Sequence, residues 1–233
     1  MIRVEQAIKS FGSRKALNEL SFTIEEGKMV GLLGANGSGK STALKALAGL
    51  VQLDRGEIRI DGMPPNLSTR AKLSYLPDVD IWNSWMRLSD AMLYMRDVYW
   101  DWNDEKAKHL LHYFELNPDL LIRDVSKGTR AKMKLLLALS RHAKYVLLDD
   151  PFAGIDPFAR RQIAQAIVED FINDGQTIII TTHEVAEVEL IIDDFLFVHD
   201  GKLLLEGHVE TVKQERNQSL ADVLREVYEH ARL

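Results

Sequence analysis

The chain has 233 residues, of which 46% are hydrophobic and 27% are charged, and its formal net charge is −6. This composition is ordinary for a soluble globular protein with one sizeable α/β core, and it argues against disorder. The acidic balance disfavours a general nucleic-acid-binding protein, which needs a basic face. The absence of cysteine excludes disulfides, thiolate metal sites and cysteine nucleophiles.

Neither a signal peptide nor a membrane-spanning helix is expected from the sequence. The start, MIRVEQAIKS, has no apolar core, and no window approaches 18 consecutive apolar residues. A cysteine-free chain also fits a reducing cytosol. If the protein works at a membrane, we therefore expect another chain to supply the spanning part.

The first part of the chain predicts strands, a glycine-rich loop and a helix. Alternating apolar residues up to Ile24 predict short half-buried strands, and the apolar run Met29–Leu33 predicts a strand buried on both faces of a parallel sheet. A helix is predicted over Ser41–Leu50 and a further strand over Glu57–Ile60.

Helical spacing replaces the strand pattern over about residues 79–127, which we interpret as a helical subdomain inserted into the α/β core. This stretch contains all four tryptophans, Trp82, Trp85, Trp100 and Trp102. Two interpretations of them stay open: exposed anchors for a partner protein, or the core of a small subdomain.

The remaining elements predict a return to the α/β pattern. They are a strand over Lys144–Asp149, a helix over Phe158–Phe171, a strand over Thr177–Thr182, a hairpin of Phe195–His199 and Lys202–Leu205, and an amphipathic helix over Ser219–Arg232.

A phosphate-binding loop is the strongest motif in the sequence. Residues 34–41 read GANGSGKS and fit the pattern G-x-x-x-x-G-K-[ST], with an apolar strand before it and a helix after it. Backbone N–H groups of such a loop surround a phosphate, Lys40 reaches the outer phosphates, and the Ser41 hydroxyl binds Mg²⁺. The predicted ligand-binding residues are Gly34, Ala35, Asn36, Gly37, Ser38, Gly39, Lys40, Ser41 and Thr42.

Two carboxylates follow the apolar strand that ends at residue 149. A carboxylate at the end of a buried strand places negative charge at the mouth of the sheet, where Mg²⁺ is bound in phosphate-loop enzymes. Asp149 is the candidate for holding the metal, and Asp150 is the candidate for polarising the attacking water.

Together with four smaller motifs in the expected order, these two elements resemble the ABC ATPase family over roughly residues 2–210. Val125–Thr129 is similar to the family signature L-S-G-G-Q and lies 23 residues before the metal aspartate. Asp156 stands in a segment similar to the D-loop, Thr182-His183 resembles the switch histidine, and Phe11 stands where an aromatic ring stacks on adenine.

The resemblance implies an α/β fold with a phosphate-loop NTPase core, a mostly parallel central sheet, an N-terminal antiparallel β subdomain and the inserted helical subdomain. We expect the ATPase domain at residues 1–210 and a C-terminal helical extension at 211–233. The family also implies two ATP and Mg²⁺ held in a head-to-tail dimer. The signature residues Ser126, Lys127 and Gly128 would then face the partner's ATP, and Asp156 would lie at the dimer interface.

Basic residues at the start of the signature helix support this arrangement independently. Cations at a helix N-terminus oppose the helix dipole, and a bound anion such as a partner's γ-phosphate would relieve that cost. A solvated basic face that tolerates the cost is the alternative. The residues concerned are Arg123, Lys127, Arg130, Lys132 and Lys134.

The chain departs from the family pattern at two functional positions. Asp150 replaces the usual glutamate and is one methylene shorter, which predicts a functional but slow ATPase whose catalytic residues are Asp150, His183 and Lys40. Asp78 stands in place of the Q-loop glutamine and is the third candidate for the metal. An acid at this position resembles exporters of the antimicrobial-peptide resistance type.

We therefore expect the ATP-hydrolysing subunit of an ABC transporter that works as an exporter. Its partners would be a separate transmembrane permease and a second ATPase subunit, identical or different, at the cytoplasmic face of the membrane. A soluble ABC ATPase acting on nucleic acid or the ribosome is the alternative, although the acidic charge disfavours it. A small-molecule kinase would not explain Ser126, Gly128 and His183.

Overall fold

The computed structural model describes residues 1–231, which form two compact units. Unit 1 combines Met1–Arg70 with the chain from Thr177 onward, and unit 2 is the intervening segment Ala71–Gln176. Unit 1 contains β1 (Ile2–Phe11), β2 (Arg14–Ile24), β3 (Met29–Leu33), α1 (Lys40–Leu47), β4 (Arg55–Ile60), β7 (Thr177–Thr182), β8 (Asp194–His199), β9 (Lys202–His208), α7 (Val209–Arg216) and α8 (Leu220–Ala231). Unit 2 contains β5 (Leu73–Leu76), α3 (Leu88–Val98), α4 (Asp104–Tyr113), α5 (Lys127–Leu139), β6 (Tyr145–Asp149) and α6 (Pro157–Asp174), and the short helix α2 (Leu67–Ala71) leads into it.

Two kinds of strand pairing build unit 1. β2, β1 and β4 form an antiparallel sheet in that order, while β3 pairs in parallel with both β7 and β8, and β9 returns antiparallel to β8. All five residues of β3 are buried, as are all six of β7. Strands covered on both faces favour continuous apolar runs, which is why the sequence predicted both with the observed boundaries.

The antiparallel strands are longer than their sequence indicated. β1 and β2 span ten and eleven residues, because irregular positions interrupt the alternation of apolar residues without ending the pairing. Gln6 and Glu19 have φ of 48° and 61°, and the register of β1 with β2 shifts near them. Such bulges break the period-two pattern that predicts a strand.

Buried side chains hold unit 2 together around the parallel pair β5 and β6. Arg141 and Asp101 form a buried ion pair with 3.0 Å between Nε and Oδ1, and the guanidinium also donates to the carbonyl of Leu73. It lies 3.8 Å from the ring centroid of Tyr99. Because every partner is hydrogen-bonded, this buried charge ties β5 to the end of α5.

Two of the four tryptophans are too exposed to belong to the core of a small subdomain. Trp85 is 66% exposed and Trp100 is 87% exposed, while Trp82 and Trp102 are half-buried. Trp82 packs edge-on against Tyr94 of α3, with ring centroids 5.8 Å apart. Unit 2 therefore presents aromatic side chains to solvent.

Some elements differ from the sequence prediction. The helix expected to reach Leu50 ends at Leu47, because Gly49 adopts φ of 66° and its N–H caps the carbonyl of Ala46. β5 and α7 were not predicted at all. The helix expected over Ser219–Arg232 is α8, and residues 232 and 233 lie outside the described part of the chain.

The limits of the inserted subdomain, about 79–127, and the domain boundary between residues 210 and 211 stay predictions. α7 spans that second boundary.

Candidate functional site

The phosphate loop of unit 1 closes around its own lysine. The loop joins β3 to α1, and the buried Lys40 is the first residue of the helix. Its Nζ lies 2.7 Å from the carbonyl oxygen of Gly34 and 3.0 Å from that of Ala35. Gly39 precedes the helix with φ of 112°, a conformation that side chains rarely adopt. The ammonium is thus aimed at the inside of the loop, where phosphate oxygens would bind.

A buried hydroxyl in the same loop has no partner within residues 1–231. Ser38 is 3% exposed, and its Oγ makes no hydrogen bond there. A buried polar atom without a partner costs free energy unless a ligand satisfies it. The loop therefore fits a phosphate group by an observation that is independent of its sequence pattern.

Backbone hydrogen bonds fix the position of the loop. The N–H of Gly201, in the turn between β8 and β9, donates to the carbonyl of Ser38 at 2.8 Å. The carbonyl of Gly201 accepts from Asn18 of β2 at 2.9 Å. One turn thus ties the loop to the antiparallel sheet.

Two other predicted residues of unit 1 are exposed. Phe11, at the end of β1, is 54% exposed, and Nζ of Lys9 lies 5.6 Å from its ring centroid. His183 follows β7 directly, and its Nε2 lies 3.8 Å from Oε1 of Glu184.

The candidate metal aspartate of unit 2 is buried at the end of β6. Tyr75 of β5 donates its hydroxyl to Oδ2 of Asp149 at 3.2 Å. Burial and the Asp149 carboxylate raise the pKa of Tyr75, so its hydroxyl stays protonated and remains a donor. Tyr75 orients the carboxylate from the neighbouring strand.

The next residue, Asp150, has a left-handed backbone. Its φ is 49°, and its carbonyl accepts from the N–H of Ala153 at 3.2 Å in the turn after β6. Aspartate is one of the few residues besides glycine that enter this region readily. The conformation turns the chain sharply at the end of the strand.

The signature segment forms the N-terminus of α5, as the sequence predicted. Ser126 caps the helix, with its Oγ accepting from the N–H of Thr129 at 3.1 Å. A Cβ on Gly128 would lie 3.3 Å from Oδ2 of Asp156, so glycine permits close packing against the start of α6. Asp156 caps α6, and hydrogen bonds from the N–H groups of Ala159 and Phe158 lower its pKa.

Two cations on α5 contact the segment Asp78–Asp80. Nη1 of Arg130 lies 2.7 Å from Oδ2 of Asp80, and Nζ of Lys134 donates to the carbonyl of Asp78 at 2.7 Å. Burial lowers the pKa of Lys134, although nearby carboxylates oppose the change. These residues, together with Lys127 and Asp150, line a cavity of about 450 Å³.

Three of the five cations near the signature have polar partners among the described residues. Nε of Arg123 lies 3.5 Å from Oδ1 of Asp124. Arg130 and Lys134 face the Asp78–Asp80 segment, and Lys132 lies 5.9 Å from the ring centroid of Phe158. Lys127, the first residue of α5, is exposed and makes no hydrogen bond or ion pair within the described residues.

The predicted site residues are divided between the two units. Unit 1 holds Phe11, the loop from Gly34 to Thr42, and His183, while unit 2 holds Asp78, Ser126–Gly128, Asp149, Asp150 and Asp156.

Sequence reasoning missed the contacts of Tyr75, Lys134 and Arg14, whose Nη2 lies 2.6 Å from the carbonyl oxygen of Gly37. For Arg14 a signal existed, since Gly12 marks a tight hairpin turn between Phe11 and Arg14.

A strand, a glycine loop closed around a lysine, and a helix define a nucleotide-binding α/β protein of the phosphate-loop class. The family model for the ABC transporter matches residues 17–153. The lipopolysaccharide export system ATP-binding protein LptB of Haemophilus influenzae is 32% identical over 226 residues, which cover 92% of this chain and 93% of the relative. A probable ABC transporter ATP-binding protein of Azorhizobium caulinodans is 34% identical over 217 residues, which cover 88% of this chain and 76% of that relative.

Solved structures have the same fold. An ATP-binding subunit of an ABC transporter has a TM-score of 0.86 at 24% identity, covering 98% of this chain and 99% of that one. A dimeric ATP-binding cassette in a post-hydrolysis state, bound to ADP and Pi, has a TM-score of 0.79 at 21% identity and covers 89% and 98%. The chain therefore belongs to the ABC transporter family, as one of its ATP-binding ATPase cassettes.

Within residues 1–231, no helix has both the length and the apolar character needed to cross a lipid bilayer.

Proposed function

We propose that this chain is the ATPase subunit of an exporter and drives a separate transmembrane permease. The observation that carries the proposal is the aromatic surface of unit 2, formed by Trp85, Trp100, Leu93, Tyr94 and Val98, whose exposed fractions range from 47% to 87%. Large exposed apolar side chains in one segment mark protein interaction sites, and tryptophan and tyrosine are frequent anchors. In this family, the helical subdomain is the part that receives the permease.

Export is the direction that two further observations favour. Asp78 resembles the acid found in exporters of the antimicrobial-peptide resistance type. The Haemophilus influenzae relative is named for lipopolysaccharide export.

ATP would be bound by the loop from Gly34 to Thr42, with adenine stacked on Phe11. The unpartnered Ser38 hydroxyl and the inward ammonium of Lys40 support phosphate binding there. Mg²⁺ would be held by Ser41, Asp149 and Asp78, the residue types that the cation prefers. It would neutralise charge on the β- and γ-phosphates during hydrolysis.

Hydrolysis would proceed with Asp150 as the group that polarises the attacking water and His183 as a contact to the γ-phosphate. Two subunits, identical or different, would sandwich ATP head to tail. Ser126, Lys127 and Gly128 of one subunit would then contact the nucleotide of the other, and Asp156 would lie at their interface. The ammonium of Lys127 is exposed at a helix N-terminus and has no ion pair in the described part of the chain, which supports an anion there.

Affinity purification of the tagged chain from detergent-solubilised membranes, followed by mass spectrometry, tests the exporter role. We expect a polytopic membrane protein to copurify in stoichiometric amount, because the chain would be bound to it at the cytoplasmic face of the membrane. The double substitution Trp85→Ser and Trp100→Ser should abolish the copurification without loss of ATP binding. Ile172→Ser removes a side chain of unit 2 that is 71% exposed and is the matched control.

Recovery of soluble partners alone, with and without ATP, would contradict the transporter role. It would favour a soluble ABC ATPase that acts on nucleic acid or the ribosome.

A further inference from the structure

The tip of the β1–β2 hairpin carries two exposed side chains beside the phosphate loop. Phe11 and Arg14 are paired directly across the antiparallel ladder, joined by Gly12 and Ser13. Gly12 has φ of 60°, which permits so tight a turn. Residues directly opposite in such a ladder project from the same face, so the ring and the guanidinium point the same way.

Arg14 also contacts the loop itself. Its Nη2 donates to the carbonyl oxygen of Gly37 at 2.6 Å. A Cβ on Gly37 would lie 2.5 Å from that nitrogen, so the guanidinium rests directly against the loop backbone. The same side chain is therefore paired with the ring of Phe11 and bonded to the phosphate loop.

Most of the hydrogen-bonding capacity of Arg14 is unused. A guanidinium has five N–H donors in a planar fork, and one bond to Gly37 is the sole hydrogen bond or ion pair of Arg14 within the described residues. The side chain is exposed and carries a permanent positive charge. Its bond to Gly37 fixes the position of the guanidinium and leaves the other donors for a ligand.

We infer that Arg14 is a further nucleotide-binding residue, whose guanidinium binds the α-phosphate of ATP. The inference rests on the proposed nucleotide site. With adenine on Phe11 and the outer phosphates in the loop, the ribose and α-phosphate must span the distance between them. Arg14 stands between these two positions. An arginine already fixed in place binds phosphate oxygens with little further loss of side-chain freedom.

Binding measurements on Arg14 variants test this role. Displacement of a fluorescent nucleotide gives the Kd of ATP, ADP and AMP, with adenosine as the ligand that lacks phosphate. Arg14→Met should weaken ATP, ADP and AMP by about the same factor, roughly tenfold for one charge-assisted hydrogen bond, and leave adenosine unchanged. Arg14→Lys keeps the charge and should recover part of the loss. Lys15→Met, which removes the neighbouring exposed cation, should bind all four ligands like the unaltered protein.

Three results would overturn the inference. The first is an unchanged nucleotide affinity in Arg14→Met, and the second is an equal loss of affinity in Lys15→Met. The third is a loss of affinity in Arg14→Met for ATP alone, which would indicate that Arg14 only supports the phosphate loop. The thermal midpoint of each nucleotide-free variant shows whether the fold is intact.

Lys40→Met separates this inference from the proposed site. We expect it to abolish ATP binding. If Lys40→Met binds ATP normally, the nucleotide site is misplaced. If Lys40→Met loses ATP binding while Arg14→Met binds ATP with unaltered affinity, the nucleotide site is correct and only the proposed role of Arg14 is wrong.

Discussion

Asp150 combines a short carboxylate with a left-handed backbone. At φ of 49°, the residue sits where aspartate is tolerated better than most side chains. Its carboxylate is one methylene closer to the backbone than that of the glutamate usual in this family. A general base must lie within hydrogen-bond reach of its water, so we expect the shorter arm to limit the rate of hydrolysis.

Asp150→Glu should raise the steady-state turnover of ATP well above that of the unaltered protein. The longer arm brings the carboxylate closer to the attacking water, while the strained backbone should lower the thermal midpoint slightly. Phosphate release at saturating ATP measures the rate, and calorimetry measures the midpoint. An unchanged or lower rate would show that the shorter acid does not limit turnover.

At the scale of single residues, the sequence predicts the residues of a motif better than the residues that hydrogen-bond to them. The loop from Gly34 to Ser41 is recognisable because its function fixes residue types at consecutive positions. The partners of Gly37 and Asp149 are 23 and 74 residues away along the chain, and no local pattern connects them. Arg14 and Tyr75 become visible only when the strands that carry them are in place.

At the level of elements, a cluster of charges around the buried Asp170 joins α4 to α6. Lys106 of α4 forms ion pairs with Asp170 and Asp174 of α6, and Nδ1 of His142 lies 3.1 Å from Oδ2 of Asp174. Burial raises the pKa of Asp170 to about 6, and the Asp174 carboxylate adds to the rise, whereas Lys106 and His142 oppose it. Desolvation of this carboxylate therefore outweighs its ion pair.

The Asp170 carboxyl should make stability depend on pH. Because its pKa is raised in the folded protein, the folded state binds the proton more tightly than the unfolded state. The stabilising contribution is complete below the ordinary pKa near 4 and is lost as pH rises through about 6. The loss corresponds to about 3 kcal/mol at most.

The unaltered protein should lose this contribution as the pH rises from 4.5 to 7.5, whereas the Asp170→Asn variant, which has no titrating group there, should not. The free energy of unfolding of the variant minus that of the unaltered protein should therefore increase over this range. Urea denaturation across this range measures it. The other charged groups are the same in both proteins, so their contributions to the free energy of unfolding cancel to first order in the comparison. A constant difference between the two proteins across this range would contradict the raised pKa.

The helices and strands that were predicted well are those with a strong periodic or continuous pattern. β3 and β7 are uninterrupted apolar runs, and α6 has aspartate, proline and glycine at its ends. β5 has only four residues, too few to show a periodic pattern, and α7 has only eight, of which Val209 alone is buried. Their positions depend on neighbours that a local reading of the sequence does not include.

For the whole molecule, the signature end of α5 predicts dimerisation. Lys127 stands exposed at the helix N-terminus, and no acidic residue occupies the first turn. A phosphate bound there would stabilise both the helix and the assembly. In the proposed dimer, that phosphate belongs to the nucleotide of the partner subunit.

With ATP and Mg²⁺, Asp150→Asn should form a stable dimer, because nucleotide binds but hydrolysis is blocked. Light scattering coupled to gel filtration should give about twice the 26.5 kDa mass of the chain. Adding Lys127→Glu should abolish this dimer by repelling the partner's phosphate. The same substitution should raise the stability of the monomer by roughly 0.3–1 kcal/mol, since an acid suits a helix N-terminus. A dimer that survives Lys127→Glu would place the interface elsewhere.

The fold class of the whole chain could be predicted because the motifs recur in a fixed order along it. The transported substrate could not be predicted, since in the proposed transporter a separate permease would recognise it. The direction of transport also remains outside the sequence, apart from the acid at Asp78.

The placement of the tryptophans gives the protein a spectroscopic property. All four indoles belong to unit 2, and unit 1, which carries the phosphate loop, has none. Tryptophan fluorescence, excited selectively, therefore reports on unit 2 alone. Trp85 and Trp100 are in contact with water and should therefore emit at long wavelength. A permease that docks on them would exclude this water and should shift the emission to shorter wavelength. Association with the membrane partner can thus be followed in real time on unlabelled protein, independently of ATP turnover.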